Sequence, residues 1–319
     1  MTLENRIFVL GSFVVDLAFR CAGLPEEGET IRSNAFAMGP GGKGTNQAIA
    51  AQRSGGRVTL LTAVGTDHLA KVAEDVLEQE GIGTRYLHRF GNASTGAAFI
   101  HVDSLTGQNR IIVYTGANES LTPEDVRMAE NEISRSRVFL TQLEQPLETA
   151  AAGLGIARSH GVTTILNPAP ALPLDADLLA LCDLVTPNET EAASITGIPT
   201  ATDEGVRAAA ARLRRMGARN VVITLGARGA YISGEEEGYV ESFSPPAVVD
   251  TAGAGDAFNG AMAVALANGR SLHEAVRDGC AAGALCVSAA GTAPAMPHAT
   301  AVAALLRAQQ RPALLLASL

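Results

Sequence analysis

The sequence predicts an α/β fold: a mostly parallel central sheet between two layers of helices, with a small second sheet acting as a lid. Three observations predict it. From Val138 onwards, short β-branched segments alternate with helical ones, and strands joined through helices close right-handed βαβ units into a parallel sheet. Two stretches, about 13–38 and about 95–115, have strand character with no helix inside them, so they stand outside that alternation. Polar residues recur just after successive strands, at Glu144, Asn167, Asn188, Glu191, Thr224 and Gly226. Open parallel sheets bind ligands beyond those strand ends.

Composition narrows the class. Of 319 residues, 47% are apolar and 18% charged, which suits a large core and argues against disorder. No long linker, repeat or low-complexity tail divides the chain, so residues 1–319 are expected to form a single domain. The net charge of −9 argues against nucleic acid as a partner. Cys21, Cys182, Cys280 and Cys286 form no CxxC pair, as expected of reduced core thiols in the cytoplasm. The six histidines lack HxH or HExxH spacing, against a histidine-held metal. Met1–Arg6 runs straight into an apolar segment with no signal peptide, and no apolar run is long enough for a bilayer. A cytoplasmic protein without a membrane partner is expected.

Taken in order, Ile7–Leu10 reads as a buried strand ending at Gly11-Ser12. Phe13–Phe19 stays β-branched and aromatic, so the first crossover is delayed. Asp16 interrupts it, either as an exposed strand residue or as a carboxylate placed to hold sugar hydroxyls. Gly39-Pro40-Gly41-Gly42-Lys43-Gly44 then leads to a helix read from Ala48 to Ser54. Glycines around a lysine let backbone approach a ligand closely. A Walker loop fails because Gly44 stands where Ser or Thr is needed, and Gly39-x-Gly41-x-x-Gly44 matches a dinucleotide fingerprint but follows a poor central strand, Ile31–Met38. Val58–Val64 is a strand and Ala70–Gln79 a helix closed by Gly81. Ala97–Val102 and Arg110–Tyr114 read as a hairpin around the turn 103–109. The regular alternation then follows: strands at Val138–Gln142, Thr163–Leu166, Asp183–Thr186 and Val221–Leu225, helices at Leu147–His160, from about Asn188, and at Glu204–Met216. A second hairpin joins Ala230–Ser233 to Gly238–Val240, and helices Ala257–Ala267, His273–Ala290 and Ala299–Gln309 close the chain.

The strongest chemical signal is Val249-Asp250-Thr251-Ala252-Gly253-Ala254-Gly255-Asp256-Ala257-Phe258-Asn259-Gly260. Glycines at a helix entrance let N–H groups converge where the dipole adds positive potential, which suits an anion. Asp256 is either an N-terminal cap or a base set beside that anion site. A hydroxyl attacking a phosphate needs both features side by side.

With Gly41-Gly42-Lys43-Gly44-x-Asn46-Gln47, Gln142-Leu143-Glu144, Asn167-Pro168-Ala169-Pro170, Pro187-Asn188-Glu189-Thr190-Glu191 and Thr224-Leu225-Gly226-x-x-Gly229, the chain resembles the ribokinase branch of the PfkB sugar-kinase family. The resemblance runs from Gly11 to about Pro297. It implies a ribokinase-like αβα sandwich with a β-sheet lid that often clasps a homodimer. It also implies transfer of the γ-phosphoryl of MgATP to a sugar's primary hydroxyl, with a pentose such as ribose or 2-deoxyribose as partner; a ketose such as a fructose derivative or a nucleoside is the alternative acceptor, and a sugar-binding regulator without catalysis the alternative outside enzymes. By resemblance, Asp256 is the base, and N–H groups around Gly253, Ala254, Gly255 and Asp256 stabilise the transferring phosphoryl. Asp16, Gly42, Lys43, Gly44, Asn46 and Glu144 would hold the sugar. Asn188 and Glu191 would organise phosphate and Mg2+-bound water, while Thr224, Gly226, Gly229 and Cys280 would line the nucleotide site. A potassium ion would be held by Asp250 and carbonyls of Ala252, Cys286, Ala289 and Gly291. The chain departs from the family at Val14, where ribokinases carry Asn, and at Ala295, where Ser is common near the cation. Val14 cannot hydrogen-bond a hydroxyl, which favours a sugar lacking one there; Ala295 implies weaker monovalent activation.

Overall fold

The computed structural model describes residues 5–106 and 108–310. The expected leaderless start at residues 1–4, and residue 107 of the expected turn, lie outside the described residues. In chain order the elements are β1 (Arg6–Leu10), β2 (Val14–Cys21), β3 (Ala35–Gly41), α1 (Lys43–Arg53), β4 (Arg57–Val64), α2 (Ala70–Gln79), β5 (Leu87–Arg89), β6 (Gly96–Asp103) and β7 (Asn109–Tyr114). Then come α3 (Pro123–Arg127), α4 (Glu130–Ile133), β8 (Val138–Thr141), α5 (Leu147–Ser159), β9 (Thr163–Leu166), α6 (Ala176–Leu179), β10 (Leu184–Val185), α7 (Glu189–Thr196) and α8 (Asp203–Arg215). The rest is β11 (Asn220–Thr224), β12 (Ala230–Ser233), β13 (Glu237–Val240), α9 (Ala254–Ala267), α10 (Leu272–Cys286) and α11 (Ala299–Gln310).

The main sheet has the order β13-β12-β11-β10-β9-β8-β1-β4-β5. It is parallel except where the β11–β12–β13 hairpin edge turns back. Alternation along each strand feeds two cores. Ile7, Val9, Val138 and Leu140 pack with α1, α2, α9 and α10 on one face. Phe8, Leu10 and Phe139 pack with α5, α6 and α8 on the other. Helix α8 shows why its segment is helical: Thr202 caps its first turn, and Val206, Ala209, Ala210 and Leu213 form one buried stripe. These paired cores fix the sheet's plane, so the loops after β1, β8, β9, β10 and β11 all open on the same rim.

The second sheet has the order β3-β2-β6-β7. Strands β2 and β6 pair in parallel across Val14–Cys21 and Gly96–Asp103, flanked by antiparallel β3 and β7. Strand β3 runs on to Gly41, beyond the limit at 38 read from sequence: Gly39, Pro40 and Gly41 pair with Asp16, Val15 and Val14. The Gly39–Gly44 segment is therefore a lid strand running into α1, not the strand-to-helix turn of a dinucleotide site. Short elements β5, α3, α4 and α6 were not foreseen; each is too brief to show a period. Among the described residues, no helix is long and apolar enough to cross a membrane, and all four cysteines are free and buried.

Candidate active site

Helix α9 starts at Ala254, three residues before the sequence suggested, with Gly253 as its N-cap at φ 78°. That left-handed turn is open to glycine at little cost. Asp256 thus lies inside the first turn, and its side chain makes no capping bond; the cap alternative does not hold. The N–H groups of Gly255 and Asp256 have no main-chain partner among the described residues, as the start of a helix requires. A Cβ built on Gly255 meets no atom within 4 Å, so the space above this turn is open. Converging donors in open space suit a phosphoryl group.

Helix α1 also starts early, at Lys43, behind Gly42 at φ 89°. Lys43, Gly44, Asn46 and Gln47 are therefore helical. Close packing sets α1 against α9, since a Cβ on Gly260 would come within 2.5 Å of the Ala50 Cβ and 2.7 Å of the Gln47 oxygen. The approach lets α1 reach the carboxylate. Asn46 Nδ2 donates to Asp256 Oδ2 at 3.0 Å, and Gln47 Nε2 donates to Oδ1 at 2.9 Å. Asp256 is only 6% exposed. Burial raises its carboxyl above the usual range, and Glu144 adds to the rise, while Lys43, Gln47 and Asn46 pull it down. Asn46 Oδ1 is buried without a partner among the described residues and the residue lines the cavity, so a hydroxyl there would supply the missing donor.

The cavity beneath the lid measures about 630 Å³. Val14, Asp16, Lys43, Asn46, Glu144, Asp250 and Asp256 all line it. Ser12 donates to Glu144, and the Lys43 main-chain N–H donates to the same oxygen at 2.9 Å. Asp16 lies directly over Gly41, whose place a Cβ would contest at 2.2 Å; it accepts a bond from Thr292 Oγ1 at 2.8 Å. Burial pushes Asp16 up to about 6, against the Thr292 bond and with help from Glu144, Asp256 and Asp250. Lys43 is buried, which would lower its value, but Asp256, Glu144 and Glu191 together raise it. Its ammonium thus sits in the field of three carboxylates, with no ion pair within 4 Å among the described residues. Ser12 and Thr292 were not singled out by sequence reasoning, and Gln47 was read only as part of its motif with no role; their partners lie far away in the chain, beyond any local signal.

At the next strand ends, Asn188 and Glu191 form a reciprocal capping box on α7, each side chain bonding the other's N–H at 2.8 Å. One Glu191 oxygen remains outside that box. Burial raises its carboxyl, opposed by the Asn188 N–H and Lys43. Thr224 ends β11 beside Asn188, and Gly226 begins an exposed turn closed by Gly229. None of Asn188, Glu191, Thr224, Gly226, Gly229 and Cys280 lines the cavity beneath the lid; Cys280 sits in the α10 core, where burial pushes its thiol up to about 12.

Asp250 accepts from the Ala252 N–H at 2.9 Å and the Gly291 N–H at 3.1 Å. Ala252 lies in the loop before α9, Cys286 ends α10, and Ala289, Gly291 and Ala295 lie in the segment after it; the two segments meet where Cys286 Sγ donates to the Ala252 carbonyl and the Gly291 N–H donates to Asp250. One carboxylate with main-chain carbonyls is a hard, low-charge donor set that fits a monovalent cation. Among the described residues no three His, Cys, Asp or Glu side chains gather as a metal cluster. A single Glu191 carboxylate fits Mg2+, which keeps most of its waters.

A carboxylate beside a helix-terminal cradle, under a lid, defines a phosphotransferase with an alcohol group as acceptor. More particularly, the chain belongs to the pfkB family of carbohydrate kinases, whose family model matches residues 4–299. A ribokinase of Haemophilus influenzae is 37% identical over 295 residues, 92% of this chain and 96% of that protein. A deoxyribokinase of Salmonella typhi is 38% identical over 293 residues, 91% and 95% of the two. The structure of Arabidopsis thaliana ribokinase complexed with ribose and ATP superposes with a TM-score of 0.87 at 32% identity, covering 95% of this chain and 99% of that one.

Proposed function

We propose that this protein transfers the γ-phosphoryl group of ATP to the 5-hydroxyl of a pentose, in the first place D-ribose. The observation that carries this is the Asp256 carboxylate held in the same first turn that presents the free N–H groups. Asp256 takes the proton of the sugar hydroxyl. The N–H groups of Gly255 and Asp256 meet the developing phosphoryl charge, the largest single contribution expected, while the Ala254 N–H, bonded to the Thr251 carbonyl at 3.5 Å, would join them only by giving up that long bond. Lys43 adds positive charge between the two substrates. Asp16, Asn46 and Glu144 accept from the remaining hydroxyls, and the Gly42–Gly44 turn brings backbone close to them. Mg2+, held by water near Asn188 and Glu191, would neutralise the phosphates, and K+ in the Asp250 loop would hold the cradle's shape. The strand end at Thr224, Gly226 and Gly229 shapes the nucleotide side, with Cys280 behind it. The ribose- and ATP-bound Arabidopsis structure and the Haemophilus ribokinase support this reading.

Val14 favours 2-deoxyribose as a second substrate. It lines the cavity and offers no polar atom, and a deoxyribokinase is among the relatives. The two sheets act as one kinase unit. A homodimer through the lid is supported by exposed apolar groups on β3 and β7, among them Phe36, Met38, Ile112 and Tyr114. Four buried free thiols agree with a cytoplasmic setting. The decisive assay is ADP release from MgATP with ribose, 2-deoxyribose, fructose and a nucleoside in turn. Turnover with a pentose is expected; turnover with none of them overturns the proposal.

A further inference from the structure

A chain of buried amides joins Asp256 to the helix that carries it. Gln47 Oε1 accepts from Gln142 Nε2 at 2.7 Å, so the Gln47 amino group must face away from Gln142. That amino group makes two bonds: to Asp256 Oδ1 and to Asn167 Oδ1, both at 2.9 Å. Asn167 Nδ2 donates to the Thr186 carbonyl at 2.8 Å, and Thr186 Oγ1 donates to Asn259 Oδ1 at 2.6 Å. Asn259 Nδ2 closes the circuit on the Gly255 carbonyl at 2.8 Å. Gln47 and Gln142 are fully buried, and Asn167, Thr186 and Asn259 are 7%, 1% and 1% exposed. The circuit crosses α1, the ends of β8, β9 and β10, and α9.

We infer that Gln47 is a positioning residue of this kinase: it fixes the Asp256 carboxylate and, through Asn167, Thr186 and Asn259, ties it to the Gly255 peptide, so base and cradle are held as one rigid pair. The inference rests on the proposal that Asp256 is the base. Each link is geometrically constrained. If the Gln47 amide flipped, its oxygen would face two acceptors, Asp256 and Asn167, and its amino group would face the Gln142 donor. The carboxylate is therefore held by a donor with one allowed orientation. Gln47 does not reach the cavity lining, so it acts on substrate only through Asp256. The Gly255 end matters equally, because rotating that peptide would swing the Asp256 N–H out of the cradle. Other charged or titratable groups face Asp256: Lys43 from α1, Glu144 after β8, Glu191 from α7, Asp16 from β2, and Cys286 and Asp250 near the cation loop. Only Lys43, Asn46 and Gln47 among them and the amides favour the ionised carboxylate.

The test is Gln47→Met, which keeps length and volume while removing both donors. It is read as kcat against pH at saturating sugar and MgATP, where kcat reports the bound complex. The expected result is a kcat lower by about 10- to 100-fold, with the acidic limb displaced upward by about 0.5–1 pH unit and the sugar KM little changed. A purely structural role would lower the melting temperature and leave the limb where it is. Thr186→Val breaks the far side of the circuit without touching Asp256; it should lower kcat about fivefold with no displacement of the limb. A folded Gln47→Met enzyme with wild-type kcat and limb overturns the inference, and so does wild-type kcat in Thr186→Val, whether or not Gln47→Met folds. Asp256→Asn separates the two levels. If that variant keeps turnover, the base assignment itself fails; if it loses turnover while Gln47→Met behaves as wild type, only the clamp fails.

Discussion

Gly255→Ala is expected to make the protein more stable and nearly inactive. The residue lies in the first turn of α9, and a Cβ there meets nothing within 4 Å. The methyl group therefore clashes with no protein atom. Replacing glycine by alanine at a helical position reduces unfolded-chain entropy and stabilises by about 0.4–1 kcal/mol, equal to a melting-temperature rise of roughly 1–3 °C for a chain of this size. The same methyl group projects into the space where the phosphoryl oxygens must meet the Gly255 and Asp256 N–H groups. Alanine keeps its N–H, but a methyl group that holds the phosphoryl oxygens off these donors should cost about as much as losing one of them, about 10²–10³-fold in kcat. Thermal unfolding and a coupled ADP assay on one preparation read both effects. A kcat within twofold of wild type would refute the placement of the cradle, because the added methyl would then be shown to lie away from the reacting group.

Two further outcomes follow from the sugar side. Val14→Asn supplies a polar group to the cavity wall and should raise the kcat/KM ratio of ribose over 2-deoxyribose by about 5- to 150-fold, the worth of one buried hydrogen bond; an unchanged ratio would show that Val14 does not face the distinguishing hydroxyl. Burial pushes Asp16 up to about 6, above its ordinary 3.8, so pentose kcat/KM should fall as pH drops through about 6 and hold above it. The stability sign is the reverse. The fold binds this proton more tightly than the unfolded chain, so the contribution of Asp16 to stability is present at low pH and lost as pH rises through about 6. Asp16→Asn should accordingly gain melting temperature on wild type at pH 8 and gain less at pH 5, and equal gains at both would contradict the assignment.

Much of the fold was legible because its signals are local and strong. Strand Thr163–Leu166 and helix Ala70–Gln79 were read with the boundaries found, since apolar period and glycine stops mark them. The starts of α1 and α9 were read late for one physical reason. Gly42–Gly44 and Gly253–Gly255 look like loops, yet at a helix entrance glycine frees the donors that a ligand needs, and propensity cannot distinguish the two. The chemistry-bearing residues could be named from their motifs, but their partnerships could not. Ser12 meets Glu144 across 132 positions, Thr292 meets Asp16 across 276, and Gln47 meets Asp256 across 209. Such pairings exist only once two cores have set α1, α9 and the strand ends around one rim. The Asn188–Glu191 pair shows the opposite case: Asn-x-x-Glu is a local capping signature, and the structure forms that box while leaving one carboxylate oxygen over.

The most direct measurement is on the carboxylate itself. Asp256→Asn keeps size and one acceptor oxygen for the Gln47 donor, with its amino group bonded to Asn46 once that amide turns its unpartnered oxygen inward, but it cannot take a proton from an alcohol. Rapid-quench turnover and calorimetric sugar binding on this variant should show kcat reduced by about 10²–10⁴-fold with sugar affinity nearly intact. Wild-type turnover in that variant would contradict the central claim that residue 256 accepts the proton beside the α9 cradle.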